Sequence, residues 1–385
     1  MNNKIKVAFF GEDFSRRGKG TALVIQKIAE QFADNFSDKI ELIIASKRGK
    51  CESGVCQKAR YIEIKTLKLP FFSTFFSYLA FFFFNKEKFD IAVFNRRIYP
   101  GFNFLKAKKI VLISHNVPVS PAYEEKISFA NRIFDFFIRW IGKYRIDAVI
   151  GDSNDAAEGI RKYYGIKKEK VYSIYCGVGD EFGVLSDKEK ERAKIKLKEK
   201  YGIQPPYILD VSRLDPHKNV AALIEAFSIV AKKGFPHKLV IVGGKHIESY
   251  YEVVMDKIKK LGLTEKVFFA DYIEAEDLPA VYNLADVFVF PSLMEGFGLP
   301  VLEAMKSGAP VITSNVCSMP EVAGEAGILI NPKRVEDIAR GITKILSDSG
   351  FKKELIQKGI KRAEEFSWRK SAGEYIKLYE NILRG

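Results

Sequence analysis

Apolar positions along this chain fall into two alternating patterns. Short continuous runs rich in Val, Ile and Phe occupy residues 4–10, 39–46, 91–94, 110–113, 147–150 and 171–175. A second series follows at 207–211, 239–242, 267–270, 286–290 and 311–312. Runs of this length and composition predict strands buried on both faces, as in parallel sheets. Between them lie stretches with helical spacing, including one from Thr21, one over 126–145, one capped by Ser153 or Asn154, and the tail 366–385. Strand and helix alternate through both halves without an internal repeat, which predicts an α/β protein.

The stretch 187–201 breaks this pattern. It is helical in spacing but densely charged, and predicts an exposed helix or linker beside a boundary near residue 182. A length of 385 residues suits two domains of ordinary size. The expected division is 1–181, 182–369 and a terminal helix over 370–385. The chain carries 62 Lys and Arg against 48 Asp and Glu, a formal net charge of +14, which calls for anionic partners. Nucleotide diphosphates, acidic lipids and nucleic acid all qualify. The basic residues are spread along the chain with no nucleic-acid motif, so nucleic acid is not expected as a partner. The four cysteines, Cys51, Cys56, Cys176 and Cys317, show no metal-ligand spacing and suggest a reducing cytoplasm. The opening KIKVAFFG reads as a first strand rather than a signal peptide.

Candidate chemistry concentrates in PSLMEGFGLPVLEAM, residues 291–305, which follows one apolar run and opens a helix at Pro300. Gly296 and Gly298 let the backbone turn sharply and approach a ligand. A strand, a glycine turn and a helix start together predict a phosphate site. Glu295 and Glu303 frame the turn. On one unbroken helix they would be roughly 12 Å apart, beyond the about 5–9.5 Å of paired glycosidase carboxylates, but the glycines interrupt the helix and leave the pair geometrically open. Two carboxylates about 4 Å apart repel by roughly 4 kcal/mol at an effective dielectric of 20. The simpler reading has each accept hydrogen bonds from neutral hydroxyls flanking a bound anion. That anion still requires cations, and Arg213 and Lys218 in SRLDPHKN supply a bidentate fork and a point charge.

Weaker signals surround this core. Gly18 and Gly20 flank Lys19 after the first strand; their spacing is not a dinucleotide fingerprint, and a plain turn or a loop approaching phosphate or sugar both fit. His115 closes the strand 110–113, at the end where ligands gather in open α/β sheets. The segment 70–86, PFFSTFFSYLAFFFFNK, is shorter than the about 20 apolar residues of a membrane span. It reads either as a buried helix or as one whose phenylalanines enter a membrane interface while Lys65, Lys68, Lys86 and Lys88 meet acidic headgroups. Core packing and interface contact are likewise both open for 126–145.

The Glu-x7-Glu pattern enclosing Gly-Phe-Gly-Leu-Pro resembles the donor motif of the large retaining glycosyltransferase family that includes sucrose synthases and many bacterial mannosyltransferases. The resemblance is strong over 205–385 and looser over 1–181. It implies the GT-B architecture: two Rossmann-like domains facing across a cleft, an acceptor-side one over 1–181 and a nucleotide-sugar one over 182–369, with the terminal helix crossing back to the first. It implies that Glu295 contacts the donor sugar, Glu303 the ribose, and Arg213 and Lys218 the diphosphate. Gly18, Gly20, Gly296, Phe297, Gly298 and Leu299 would line the donor, His115 would sit near sugar and acceptor, and Tyr272 and Ile273 near the nucleobase. Cys176 and Gly179 stand where the family usually has Asn and Asp, so no site residue is carried over there. The implied reaction moves a hexose from a nucleotide-diphosphate sugar to a glycan or lipid-linked acceptor with retained configuration, without metal or cofactor. The loop SNVCSMPEVAGEAG resembles mannosyltransferases of surface polysaccharide assembly, which favours GDP-mannose over UDP-sugars. A cytoplasmic enzyme, peripheral on an anionic membrane surface, is the expected setting. A nucleotide-sugar epimerase of the same fold, or a non-catalytic basic membrane-surface protein, is the alternative.

Overall fold

The computed structural model describes residues 4–11, 14, 20–47, 54–66, 73–96, 98–99, 101–115 and 145–385. The chain divides into a first unit, Met1–Gly177 with Trp368–Gly385, and a second, Val178–Ser367. Gly18, Cys51, Lys68, residues 70–72 and the helix expected over 126–144 lie outside the described residues.

Among the described residues of the first unit, seven parallel strands run in the order β3-β2-β1-β4-β5-β6-β7. They are β1 (Ile5–Phe10), β2 (Ile40–Lys47), β3 (Arg60–Ile64), β4 (Phe89–Asn95), β5 (Ala107–Ser114), β6 (Ala148–Gly151) and β7 (Val171–Ser173). The central strands bury Val7, Ala8, Ile43, Ile44, Ala92, Phe94, Val111 and Ile113 almost completely, which is why they read as continuous apolar runs. The edge strand β3, RYIEI, was not among those runs. It is buried fully only at Ile64, so no apolar run marks it. The helix Thr21–Asn35 and the terminal helix Trp368–Arg384 pack together through Phe32 and Tyr379, whose ring centroids are 6.1 Å apart. Ser371 Oγ donates to Tyr175 O at 2.5 Å, fixing the returning helix beside the end of β7. Cys56 is disulfide-bonded, which corrects the expectation of uniformly reduced thiols; Cys176 and Cys317 are not in disulfides.

The second unit is a six-stranded parallel sheet, β10-β9-β8-β11-β12-β13. Its strands are β8 (Tyr207–Val211), β9 (Lys238–Val242), β10 (Val267–Ala270), β11 (Val287–Phe290), β12 (Val311–Ser314) and β13 (Gly327–Ile330). The edge strand β13 was also unanticipated, because Leu329 is 39% exposed and only Ile330 is fully buried. The charged helix Asp187–Tyr201 opens on a reciprocal capping box between Ser186 and Glu189 and closes on Gly202 at φ 72°. It buries little beyond Ala193 and Leu197, as its composition implied. Among the described residues no helix is long and apolar enough to cross a membrane.

The strand order of the second unit locates its ligand site before any side chain is considered. Chain order runs outward from β8 through β9 to β10, then restarts on the other side with β11. Loops leaving the carboxyl ends of β8 and β11 therefore diverge and open a crevice, the usual ligand position in doubly wound sheets.

Candidate donor site

Both loops singled out in the sequence leave that crevice. After β8 the chain passes Arg213 and Asp215, makes a 3-10 turn over Pro216–Lys218, and reaches Asn219 in a left-handed conformation, φ 62°. After β11 it runs through Glu295 to Gly298, φ 99°, which starts the helix Leu299–Lys306 with Pro300 in its first turn. The two loops are tied directly. Leu293 N donates to His217 O at 2.7 Å. Asn219 Nδ2 donates to Pro291 O at 3.1 Å and to Pro332 O at 2.7 Å, adding the loop after β13.

This frame brings Lys218 and Glu295 together. Lys218 Nζ donates to Glu295 Oε1 at 2.5 Å, and the two side chains are 15% and 12% exposed. Lys218 Nζ also lies 5.1 Å from the centroid of Phe290. Glu295 was expected to accept from hydroxyls; here a lysine takes one of its oxygens, so the carboxylate is charge-compensated and oriented. Arg213 is 60% exposed, with Nη2 3.1 Å from Asp215 Oδ2. Asp215 is buried, and its other oxygen lies 2.5 Å from His246 Nδ1. A buried carboxylate thus aims an exposed guanidinium from beneath.

The glycine loop is fixed through its carbonyls. Thr313 Oγ1 donates to Phe290 O at 3.0 Å and Ser314 Oγ to Ser292 O at 2.6 Å. Ser318 Oγ reaches Glu295 O at 3.2 Å and Phe297 O at 3.0 Å. Hydroxyls from β12 and the following turn therefore hold the loop from the protein side, in the manner of a preorganised site. Glu303 lies one helical turn in and accepts from Tyr282 Oη at 2.9 Å; burial pushes its carboxyl up to about 7. Asp210, at the end of β8, is fully buried and accepts from Ser212 Oγ at 2.6 Å; burial likewise pushes it up to about 7.

The remaining sequence candidates are placed as follows. Phe297 is 4% exposed and packs on Phe366 at 6.0 Å. Tyr272 is 56% exposed and Ile273 is buried, both just past β10. In the first unit Gly20, φ 57°, precedes the helix Thr21–Asn35. His115 sits past β5 and is 2% exposed, with Nδ1 2.7 Å from Asp152 Oδ2 and Nε2 2.6 Å from Asn95 Oδ1. Both ring nitrogens are engaged, so in this conformation the imidazole offers no nitrogen to a ligand. Cys176, in place of the usual Asn, is buried; burial first, then Asp152, pushes its thiol well up, so it stays protonated. Glu274, Glu276 and Asp277 form the acidic group whose oxygens lie close together among the described residues. Lys200 bonds Glu274 at 2.8 Å and Asp277 at 2.9 Å, and Lys196 pairs with Asp277, so lysines already compensate that charge.

Sequence reasoning missed Asn219, Asp215, Ser318 and Tyr282. The first three stand inside stretches already singled out, Asn219 next to Lys218 and Ser318 in SNVCSMPE. Their polar type beside a glycine loop was the available signal. Tyr282 had none, since its place above Glu303 depends on packing.

Comparison with solved structures gives the class. The chain is similar to sucrose-phosphate synthase from Thermosynechococcus elongatus at TM-score 0.75, 19% identity, covering 98% of this chain and 99% of that one. It is equally similar to Anabaena Alr3699/HepE in complex with UDP and glucose, TM-score 0.76 and 17% identity, covering 98% and 100%. The fold is GT-B. The Glycosyl transferases group 1 family matches residues 187–362 and Glycosyltransferase Family 4 matches residues 19–182, so the two together span most of the chain. The chain belongs to the group 1 glycosyltransferases. Among curated relatives, the serotype-specific mannosyltransferase WbdA of Escherichia coli is 34% identical over 65% of this chain and 31% of its own length. O-antigen chain mannosyltransferase B of Escherichia coli is 34% identical over 45% of each. The matched segments thus span about a third to under half of these two relatives.

Proposed function

We propose that this chain transfers a hexose from a nucleoside-diphosphate sugar to a glycan or lipid-linked acceptor with retained anomeric configuration. The observation carrying the proposal is the Lys218–Glu295 pair, with Arg213 on the same loop as Lys218, set at the strand-order reversal between β8 and β11. A departing diphosphate develops negative charge on its bridging oxygen. Lys218 as a point charge, Arg213 as a fork and the start of the helix Leu299–Lys306 stabilise that charge without a metal ion. Glu295, held by Lys218, orients the sugar, and Glu303 accepts from the ribose diol. Gly296, Phe297, Gly298 and Leu299 shape the donor side, with Tyr272 and Ile273 beside the base. In the first unit His115 binds a sugar or acceptor hydroxyl by exchanging its bond to Asn95. No candidate nucleophile for a double displacement stands out among the described residues, and the departing phosphate helps deprotonate the acceptor on the same face.

The second unit takes the donor and the first the acceptor. Relatives described as mannosyltransferases favour mannose, and hence GDP-mannose, over UDP-sugars. The setting is surface polysaccharide assembly on the cytoplasmic side of a membrane. The test is a thermal-shift screen against GDP-, UDP- and ADP-sugars, followed by transfer assays with the selected donor. A selective donor raises the melting point by mass action. Glu295→Gln and Lys218→Ala each lower turnover by about 100-fold or more. No shift with any activated hexose, from correctly folded protein, overturns the proposal.

A further inference from the structure

The Phe-rich helix Ser73–Phe84 splits its aromatic residues between two environments. Tyr78 and Phe82 are fully buried in the first unit's core, while Phe83 and Phe84 are 61% and 75% exposed. A third exposed ring, Phe104 at 52%, comes from the 3-10 turn Phe102–Phe104, some twenty residues further along. The three form one cluster: Phe83 lies 5.1 Å from Phe84 and 5.3 Å from Phe104, both edge to face. Large aromatic rings gathered in water from separate elements call for a covering surface.

Charge on the rim indicates which surface. Lys86 and Lys88 follow Phe84 by two and four residues, and Lys106 follows Phe104 by two; all three are exposed. Phe89 N donates to Lys106 O at 2.9 Å, which sets the backbones of Lys88 and Lys106 side by side. The acids nearby are already neutralised. Glu87 pairs with Lys6 at 2.8 Å and with Arg60, and Asp90 pairs with Lys108 at 2.8 Å. The side-chain ammonium groups of Lys86, Lys88 and Lys106 make no ion pair or hydrogen bond among the described residues. An aromatic centre with a rim of uncompensated lysines matches a bilayer interface, where rings enter the acyl boundary and ammonium groups meet acidic headgroups.

We propose that Phe83, Phe84 and Phe104, with Lys86, Lys88 and Lys106, form a docking surface for an anionic lipid bilayer. It deepens the membrane-side setting proposed above and is independent of the donor chemistry. The cluster precedes β4 and β5, whereas His115 follows the far end of β5. Docking there holds the His115 end of the sheet up to roughly 25 Å from the lipid, the length of an eight-residue strand. That spacing suits an acceptor glycan several sugars long over a sugar attached directly to a lipid head.

The full chain is sedimented with vesicles of phosphatidylcholine alone and with 30% phosphatidylglycerol. Pelleting is expected with the anionic vesicles only, weakening in high salt. Phe83→Ser with Phe84→Ser, and separately Lys86→Glu with Lys88→Glu, each reduce partitioning at least tenfold. Both variants retain the wild-type thermal shift with donor sugar, which shows that they fold and separates this inference from the donor reading. Absence of pelleting with anionic vesicles, or equal pelleting by the variants, overturns the proposal. So does a dimer in sedimentation equilibrium that Phe83→Ser dissociates, since a second copy would then cover the rings.

Discussion

Asn219 is the residue whose removal tests the site's construction most directly. Its side chain spans three loops, donating to Pro291 O and Pro332 O from a left-handed backbone at φ 62°, ψ 29°. Asn219→Gly keeps that backbone accessible and deletes both bonds. Each is worth about 1 kcal/mol net, and stranding the buried carbonyls raises the loss towards about 2 kcal/mol apiece, so a total of roughly 2–4 kcal/mol is expected. Asn219→Ala loses the same bonds and adds about 1–2 kcal/mol for a left-handed non-glycine residue. Of this, about 0.4–1 kcal/mol is offset because alanine restricts the unfolded chain more than glycine. Ala is therefore the worse variant by roughly 0.5–1 kcal/mol. Asn219→Asp preserves shape but turns an acceptor towards two acceptors, so it gains nothing over Gly. Urea unfolding measures these differences. A parallel donor titration gives the functional consequence, because Lys218 and Glu295 lie on the two loops that Asn219 joins: KM for the donor rises about tenfold or more in all three variants. An Asn219→Gly protein within about 0.5 kcal/mol of wild type, with unchanged KM, would refute the claim that this side chain sets the spacing of the site.

The remaining predictions concern neighbouring groups. Gly243→Ala places a Cβ 1.9 Å from Ser212 O at φ 148°, so thermal denaturation should show a loss of at least about 3 kcal/mol through displacement of the loop carrying Arg213. Ser318→Ala removes the hydroxyl bonded to Glu295 O and Phe297 O; about 1–3 kcal/mol of stability and several-fold in donor KM should be lost, read by calorimetry and kinetics. Burial raises the folded-state carboxyls of Glu303 and Asp210 to about 7, above their ordinary values of 4.5 and 3.8. Ionisation is thus disfavoured in the fold. Their contribution to stability is fully present below those ordinary values and lost as pH rises through about 7. Asp210→Asn should flatten part of that slope in urea midpoints taken from pH 4 to 8. Donor binding has the opposite sign: protonated Glu303 is a poorer acceptor for ribose hydroxyls, so donor KM should rise as pH falls through about 7, and less so in Glu303→Gln.

The parts of the fold and site that could be read from the sequence are those that depend on local chemistry. β11 is four consecutive apolar residues and β8 is apolar but for Asp210, because both sheet faces are covered, and Gly298 with Pro300 marks a helix start wherever it occurs. The edge strands β3 and β13 escaped because partial exposure relaxes the demand for apolar side chains. Strand order escaped for a different reason: which strands become neighbours is decided by crossover connections and core packing, not by any residue within them. The roles of several side chains follow from that order. Glu295 and Lys218 are 77 residues apart in the chain and meet only because β8 and β11 are adjacent. His115 was legible as a strand-end histidine, yet its partners Asn95 and Asp152 end β4 and follow β6, the strands on either side of β5. Charge compensation therefore emerges at the level of the sheet. A lone half-buried Glu295 or buried His115 would carry an uncompensated desolvation penalty, and parallel order supplies each with its counter-group from the neighbouring strand end. The same adjacency that makes the crevice also makes its charges tolerable, so a substitution that shifted β11 relative to β8 would separate Lys218 from Glu295 even with every site residue unchanged.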